Sequence, residues 1–139
     1  MKTQLLALLT SLSISAAIAS AASSAPAPTK ADIAKLVAEA ATYEPGQSRE
    51  PFRRLEELAR QSSSGVRKEL EAGLVQLLSP GTTYEAQEFA CTQLAFLGSK
   101  TALPALSRLL TRDETAGIAC LALTTYPHGK ADAILRAAL

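Results

Sequence analysis

The chain is 139 residues long, a length typical of one domain. Hydrophobic residues make up 47% of it and charged residues 19%, which allows a core and excludes a disordered chain overall. The formal net charge is only +1, because 14 basic residues nearly balance 13 acidic ones. A near-neutral chain has no general attraction for nucleic acid or for an anionic membrane surface, so neither is an expected partner.

The N-terminus has the pattern of an export signal. Lys2 precedes a leucine-rich apolar run, and small residues around Ala19 and Ala21 fit the specificity of signal peptidase. We therefore predict a signal peptide over residues 1–21, with cleavage after Ala19, Ala21 or Ala22, and a periplasmic or extracellular protein. An uncleaved membrane anchor is the alternative, but the apolar run is short and serine-rich for a membrane span.

A short linker and then a helical domain follow this segment. Residues 22–29 are small, polar and proline-bearing, which is typical of a flexible linker, and residues 30–139 form the predicted domain. Thr29 and Asp32 have the spacing of a capping box, so the first helix begins there. Apolar residues follow at helical spacing until the Pro-Gly turn after Tyr43.

The next two helices are marked by their caps and by leucine-rich stripes. Ser48 is the predicted N-cap of the second helix, with Pro51 in its first turn. A turn over residues 61–65 separates it from a third helix over residues 66–78. The residues expected to face inward are Phe52, Leu55, Leu58, Ala59, Val66, Leu70, Leu74, Leu77 and Leu78.

Four more helices are predicted in the C-terminal half. Thr82 with Glu85 caps the fourth helix, Gly98 ends it, and Asp113 caps the sixth. The fifth and seventh helices are predicted over residues 101–111 and 131–138. No stretch keeps the alternation of period two that a strand requires. The sequence therefore predicts an all-α fold of about seven short helices.

The segment from Glu88 to Leu139 contains the same helical unit twice, 29 residues apart. Residues 89–94 align with residues 118–123, and the same offset aligns two chain breakers, Gly98 and Pro127. Further aligned pairs are Ala102 with Ala131, Leu106 with Leu135 and Leu110 with Leu139. Such a period is typical of stacked helical hairpins, in which each unit buries its apolar face on its neighbour. We predict a right-handed α-solenoid of antiparallel hairpins, with Leu94 and Leu123 facing inward.

Two stretches of the chain carry a family resemblance. The first is Phe89-Ala-Cys-Thr-Gln-Leu-Ala-Phe-Leu-Gly98, followed by Ala102-Leu-Pro-Ala-Leu106, and the second is the segment from Tyr43 to Arg49 before a helix. The first resembles the short HEAT-like repeats related to those of phycobilisome lyases, and the second is similar to the N-terminal part of exported bacterial HEAT-repeat proteins. The resemblance implies a helical scaffold. It implies no lyase activity, because no catalytic or pigment-binding motif of that family is matched here.

Cys91 and Cys120 occupy equivalent positions in the two copies, on helices that should lie side by side. An exported protein would permit their oxidation, so a disulfide between them could join the two copies. It would need Cα atoms within about 7 Å, whereas neighbouring helix axes are about 8–10 Å apart. The alternative, which we favour, is that both are small buried apolar residues.

His128 is the only histidine of the chain. Together with Cys91 and Cys120 it could be imagined as a metal site, but the spacing of the three matches no short-range ligand motif. We favour a turn histidine in solvent. The absence of a second histidine and of a G-x-S-x-G sequence also removes most forms of nucleophilic catalysis.

The charged residues of the second and third helices are predicted to lie on solvated faces. The carboxylates that could serve as acid–base groups are Glu56, Glu57, Glu69 and Glu71, and they alternate with basic residues. The basic cluster of Arg49, Arg53, Arg54 and Arg60 is offset by neighbouring glutamates, which weakens the case for an anionic ligand. We therefore predict no catalytic residue, no metal site and no cofactor.

These patterns predict an exported scaffold that mediates protein–protein interaction, because stacked hairpins present a large surface with little local chemistry. One alternative is an accessory enzyme or cofactor-handling protein related to HEAT-repeat lyases. Another is a structural spacer or a fragment of a longer envelope protein. The apolar stripe in residues 134–139 has no further helix to cover it. We expect one of three situations. The far side of the last helical hairpin is polar enough to face water, or another chain covers it through self-association, or the sequence is a fragment of a longer array.

Overall fold

The computed structural model describes residues 27–61 and 63–138. Within these ranges the chain is all-helical, with seven α-helices and two single-turn 3-10 helices, which confirms the prediction of an all-α fold of about seven helices. The α-helices are α1 (Lys30–Ala41), α2 (Glu50–Gln61), α3 (Ser64–Leu77), α4 (Tyr84–Leu97), α5 (Leu103–Leu110), α6 (Asp113–Thr124) and α7 (Asp132–Ala138). The 3-10 helices are Lys100–Ala102 and Pro127–Gly129. The predicted signal peptide and most of the predicted linker lie outside the described residues.

Helix α1 begins with the capping box that the sequence predicts. The Thr29 hydroxyl accepts a hydrogen bond from the Asp32 amide at 3.2 Å, and the Asp32 carboxylate accepts one from the Thr29 amide at 2.9 Å. Two of the amide groups left unpaired at a helix start are thus satisfied by the pair. The bonds that Asp32 accepts from Thr29 hold the pKa of its carboxyl below the usual value.

Several predicted caps are displaced by a residue. At the start of α4 the cap is Thr83, whose hydroxyl accepts from the Ala86 amide at 3.4 Å. The predicted cap, Thr82, instead donates its hydroxyl proton to the Leu77 carbonyl at 2.7 Å, so it satisfies the last carbonyl of α3. Asp113 is the first residue of α6 and not its cap, which is Arg112.

The second and third helices also differ slightly from their predicted spans. Ser48 accepts a hydrogen bond from the Glu50 amide at 3.3 Å, but the carbonyl that opens α2 belongs to Arg49 and accepts from the Arg53 amide at 3.0 Å. Helix α3 begins at Ser64, two residues earlier than predicted. The turn between α2 and α3 is therefore shorter than the sequence suggests.

Gly98 ends α4 as predicted, in the left-handed conformation with φ of 66°. Its amide donates to the Leu94 carbonyl at 3.0 Å. A Cβ atom at this position would lie 2.5 Å from Cγ of Pro127, the residue that aligns with Gly98 in the next copy. Glycine is therefore required here both by the backbone conformation and by the close approach of the two copies.

The core is formed by packing between helices that are close to one another along the chain. Helix α1 packs against α2 and α3, α4 packs against α2, α3 and α6, and α6 packs against α5 and α7. The fully buried leucines are Leu55, Leu70, Leu74, Leu77, Leu94, Leu106, Leu109 and Leu123. Leu94 and Leu123 are thus both buried, as the repeat alignment predicts. Each fully buried leucine contributes about 2 kcal/mol of hydrophobic stabilisation.

Some aligned residues of the two copies differ in how deeply they are buried. Ala95 and Leu103 are buried, whereas their aligned partners, Thr124 and Asp132, are polar and exposed. Helix α7 has no fully buried residue, although Ile134 and Leu135 are half-buried. The second copy therefore carries polar side chains at positions where the first copy is covered by its neighbours.

Candidate functional site

An open cleft of about 490 Å³ lies between the turn that joins α1 to α2 and the N-terminal half of α4. Its lining residues are Tyr43, Pro45, Arg49, Glu85, Glu88, Phe89 and Thr92. This volume falls within the range of about 300–1,000 Å³ that is typical of ligand pockets. We call this feature the turn–α4 cleft.

Local hydrogen bonds fix the turn that forms one wall of the cleft. The Gln47 amide donates to the Glu44 carbonyl at 3.0 Å, and the Gln47 side chain accepts from the Glu44 amide at 3.2 Å. Gly46 supplies the positive φ of 101° that this turn needs. The Thr83 amide donates to the Ala41 carbonyl at 3.2 Å, which ties the end of α1 to the start of α4. The turn is therefore held by its own hydrogen bonds, and a backbone hydrogen bond joins the two walls of the cleft.

Three aromatic rings form a continuous cluster below the cleft. The rings of Tyr43 and Phe52 have centroids 4.8 Å apart at 64°, and those of Phe52 and Phe89 are 4.7 Å apart at 40°. Tyr43 and Phe52 are buried, while Phe89 is half-buried and lines the cleft. The Arg49 guanidinium lies 5.9 Å from the Phe52 ring centroid, within cation–π range.

The charged side chains of the cleft have no ionic partners. Among the described residues, no ion pair involves Arg49, Glu85 or Glu88. The three arginines of α2 itself are paired: Arg53 and Arg54 with Glu50 at 2.5 and 2.9 Å, and Arg60 with Glu56 at 2.6 Å. The prediction that glutamates offset the basic cluster therefore holds for these three, and Arg49 is the exception. One unpaired cation faces two unpaired carboxylates across the cleft.

The two cysteines differ in their surroundings. Both thiols are free, and Cys91 is 1% exposed whereas Cys120 is exposed. Burial, and secondarily the nearby Glu88 carboxylate, raise the pKa of the Cys91 thiol to about 12. Cys91 therefore fits the interpretation of a small buried residue. Cys120 does not, because its position on α6 is exposed to solvent.

The four candidate acid–base carboxylates all have partners. Glu56 pairs with Arg60, and Glu69 pairs with Lys30 at 3.2 Å. Glu57 accepts a hydrogen bond from the Gln61 side-chain amide at 3.3 Å, and Glu71 accepts one from the Thr101 hydroxyl. Each of the four carboxylates therefore interacts with its own neighbouring side chain at a helix surface, and the four do not form a shared site.

His128 lies in the 3-10 turn Pro127–Gly129. Among the side chains that the structure describes, no three His, Cys, Asp or Glu residues come close enough together to hold a metal ion. No helix in the same ranges has both the length and the apolar character needed to span a bilayer.

The sequence patterns did not predict the turn–α4 cleft. Arg49 belongs to the predicted basic cluster and to the stretch of family resemblance that begins at Tyr43, and Glu85 was predicted only as part of a helix cap. One signal was present, because α4 contains two glutamates and no lysine or arginine. Its carboxylates therefore have no basic residue on their own helix with which to pair.

Comparison of the chain with protein-family models, with curated proteins and with solved structures finds no match. The described part of the chain is an all-helical unit with a mixed-charge cleft.

Proposed function

We propose that this protein is an exported HEAT-like repeat scaffold that mediates protein–protein interaction, with its helices arranged as a right-handed α-solenoid. The order of packing supports this arrangement, because α1 lies against α3, α2 against α4, and α4 against α6. Contacts between alternate helices are typical of stacked helical hairpins. The aligned residues Leu94 and Leu123 are buried in both copies, which agrees with the same repeat.

The observation that carries the proposal is the turn–α4 cleft. Among the described residues, Arg49, Glu85 and Glu88 form no ion pair, which is also true of isolated surface charges such as Lys68 and Arg108, but these three line one cleft together. Such side chains remain available for complementary charges on another molecule, and the half-buried Phe89 between them adds apolar contact area. A mixed-charge cleft with an aromatic floor suits a segment of another protein.

The proposal is tested by affinity capture from an envelope extract with the exported protein as bait. The test variant is Arg49→Glu, and the matched control is Arg108→Glu, which reverses the charge of another exposed arginine outside the cleft. We expect wild type and the control to retain the same partner, and the test variant to bind it about tenfold more weakly. Equal retention by all three proteins, or no retained partner for wild type, would contradict the proposal.

A further inference from the structure

The charges of the turn–α4 cleft define the chemistry of its partner. We infer, on the basis of the proposed interaction function, that the cleft binds an extended peptide segment through a lysine or arginine side chain. That side chain lies between Glu85, Glu88 and the ring of Phe89. Arg49 on the opposite wall binds a carboxylate of the same segment.

The first argument is the balance of charge. Two carboxylates and one guanidinium line the cleft, so its net charge is negative. Glu85 and Glu88 are three residues apart on α4 and therefore share one helical face. Helix α4 has no basic residue, so no side chain of its own helix pairs with these carboxylates. Arg49 also forms no ion pair with either glutamate among the described residues, so both remain free to accept a cation from a partner.

The second argument is the aromatic floor. Lysine and arginine carry a long apolar stem below the charge, and they favour sites where the stem covers an apolar surface. The half-buried ring of Phe89 lies beside Glu88 and offers such a surface. The same aromatic cluster already holds one guanidinium, that of Arg49, at 5.9 Å from the ring of Phe52. A second cation over Phe89 would repeat this geometry.

The third argument is the room between the walls. Arg49 and the two glutamates line the same cleft of about 490 Å³, which is open to solvent. Its size suits one or two side chains of a segment whose backbone runs along the surface. A segment with a basic residue and a nearby acidic residue would complement both walls, which favours a peptide over a simple cation.

A peptide titration tests the inference. The exported protein, labelled with ¹⁵N, is titrated with acetyl-Gly-Ser-Arg-Ser-Asp-Gly-amide and followed by amide chemical shifts. The matched probe contains citrulline, which keeps the shape of arginine without its charge. We expect shifts at Phe89 and Thr92, and at least fivefold weaker binding of the citrulline peptide. Equal binding of the two peptides, or shifts confined to other helices, would overturn the inference.

The protein variants provide a second arm. Glu85→Gln combined with Glu88→Gln should weaken the arginine peptide at least tenfold. Glu114→Gln is the matched control, because Glu114 is the second residue of α6 as Glu85 is of α4. It should bind as wild type does. Unchanged affinity of the double variant would show that the glutamates do not hold the peptide.

The same variants separate this inference from the proposed function. If wild type captures a partner from the extract and the Glu85→Gln, Glu88→Gln variant captures an equal amount, the cationic contact is wrong and the interaction function stands. If wild type captures nothing, the interaction function is wrong, and the peptide titration alone decides what the cleft binds.

Discussion

Replacing Gly98 by alanine should destabilise the protein through two separate effects. The left-handed backbone conformation, with φ of 66°, costs a residue with a Cβ about 1 kcal/mol. The new methyl group would also lie 2.5 Å from Cγ of Pro127, well inside contact distance. Overpacking of this kind costs about 1–3 kcal/mol. The free energy of unfolding should therefore fall by about 2–4 kcal/mol.

Urea denaturation followed by the helical circular dichroism signal measures this change. Gly81→Ala is the control, because Gly81 has φ of 98° but no atom within 4 Å of the added Cβ, so only backbone strain is introduced. The double variant Gly98→Ala, Pro127→Ala should recover about 1–2 kcal/mol relative to the sum of the single changes. A loss for Gly98→Ala no larger than about 1 kcal/mol, or additive effects in the double variant, would refute the contact between the two copies.

Three further predictions concern other positions. Under native conditions a thiol reagent should label Cys120 and leave Cys91 unmodified until the protein unfolds, because Cys91 is buried and its thiol pKa is raised to about 12. Gly117→Ala should raise the free energy of unfolding by about 0.5–1 kcal/mol, because Gly117 lies within α6 with open space around its Cα. Burial, and then the Glu71 carboxylate, raise the pKa of Tyr126 from 10.0 to about 12. The protonated Tyr126 hydroxyl therefore stabilises the folded protein fully below pH 10, and this stabilisation is lost as the pH rises towards 12. The stability advantage of wild type over Tyr126→Phe should therefore shrink between pH 10 and pH 12.

Each of these predictions has a clear contrary result. Two labelled thiols in the native protein would contradict the burial of Cys91. A destabilising Gly117→Ala would show that α6 is covered on that side. A constant difference between wild type and Tyr126→Phe across the alkaline range would contradict the raised pKa of Tyr126, and with it the burial of its hydroxyl group.

The helices could be predicted from the sequence because their signals are local. Apolar spacing, a capping box at Thr29 and a terminating Gly98 each act within a few residues, and each is present in the structure. The choice between Thr82 and Thr83 as the cap of α4 could not be made locally. It depends on the Leu77 carbonyl at the end of α3, which takes the Thr82 hydroxyl.

The cleft could not be predicted because it depends on contacts between distant parts of the chain. Arg49 and Glu85 come together only because the end of α1 is bonded to the start of α4 through Ala41 and Thr83. The cysteines show the same limit of local patterns. Cys91 and Cys120 have equivalent neighbours in sequence, yet only Cys91 is buried.

The proposed binding role of the cleft is tested most directly by hydrogen–deuterium exchange of the protein, with and without a partner obtained by the affinity capture proposed above. Because the partner is proposed to occupy the turn–α4 cleft, amides in residues 43–49 and 85–92 should exchange more slowly in the complex. Amides of α7 should be unaffected. Protection confined to α6 and α7, with no change in residues 43–49 and 85–92, would contradict the account.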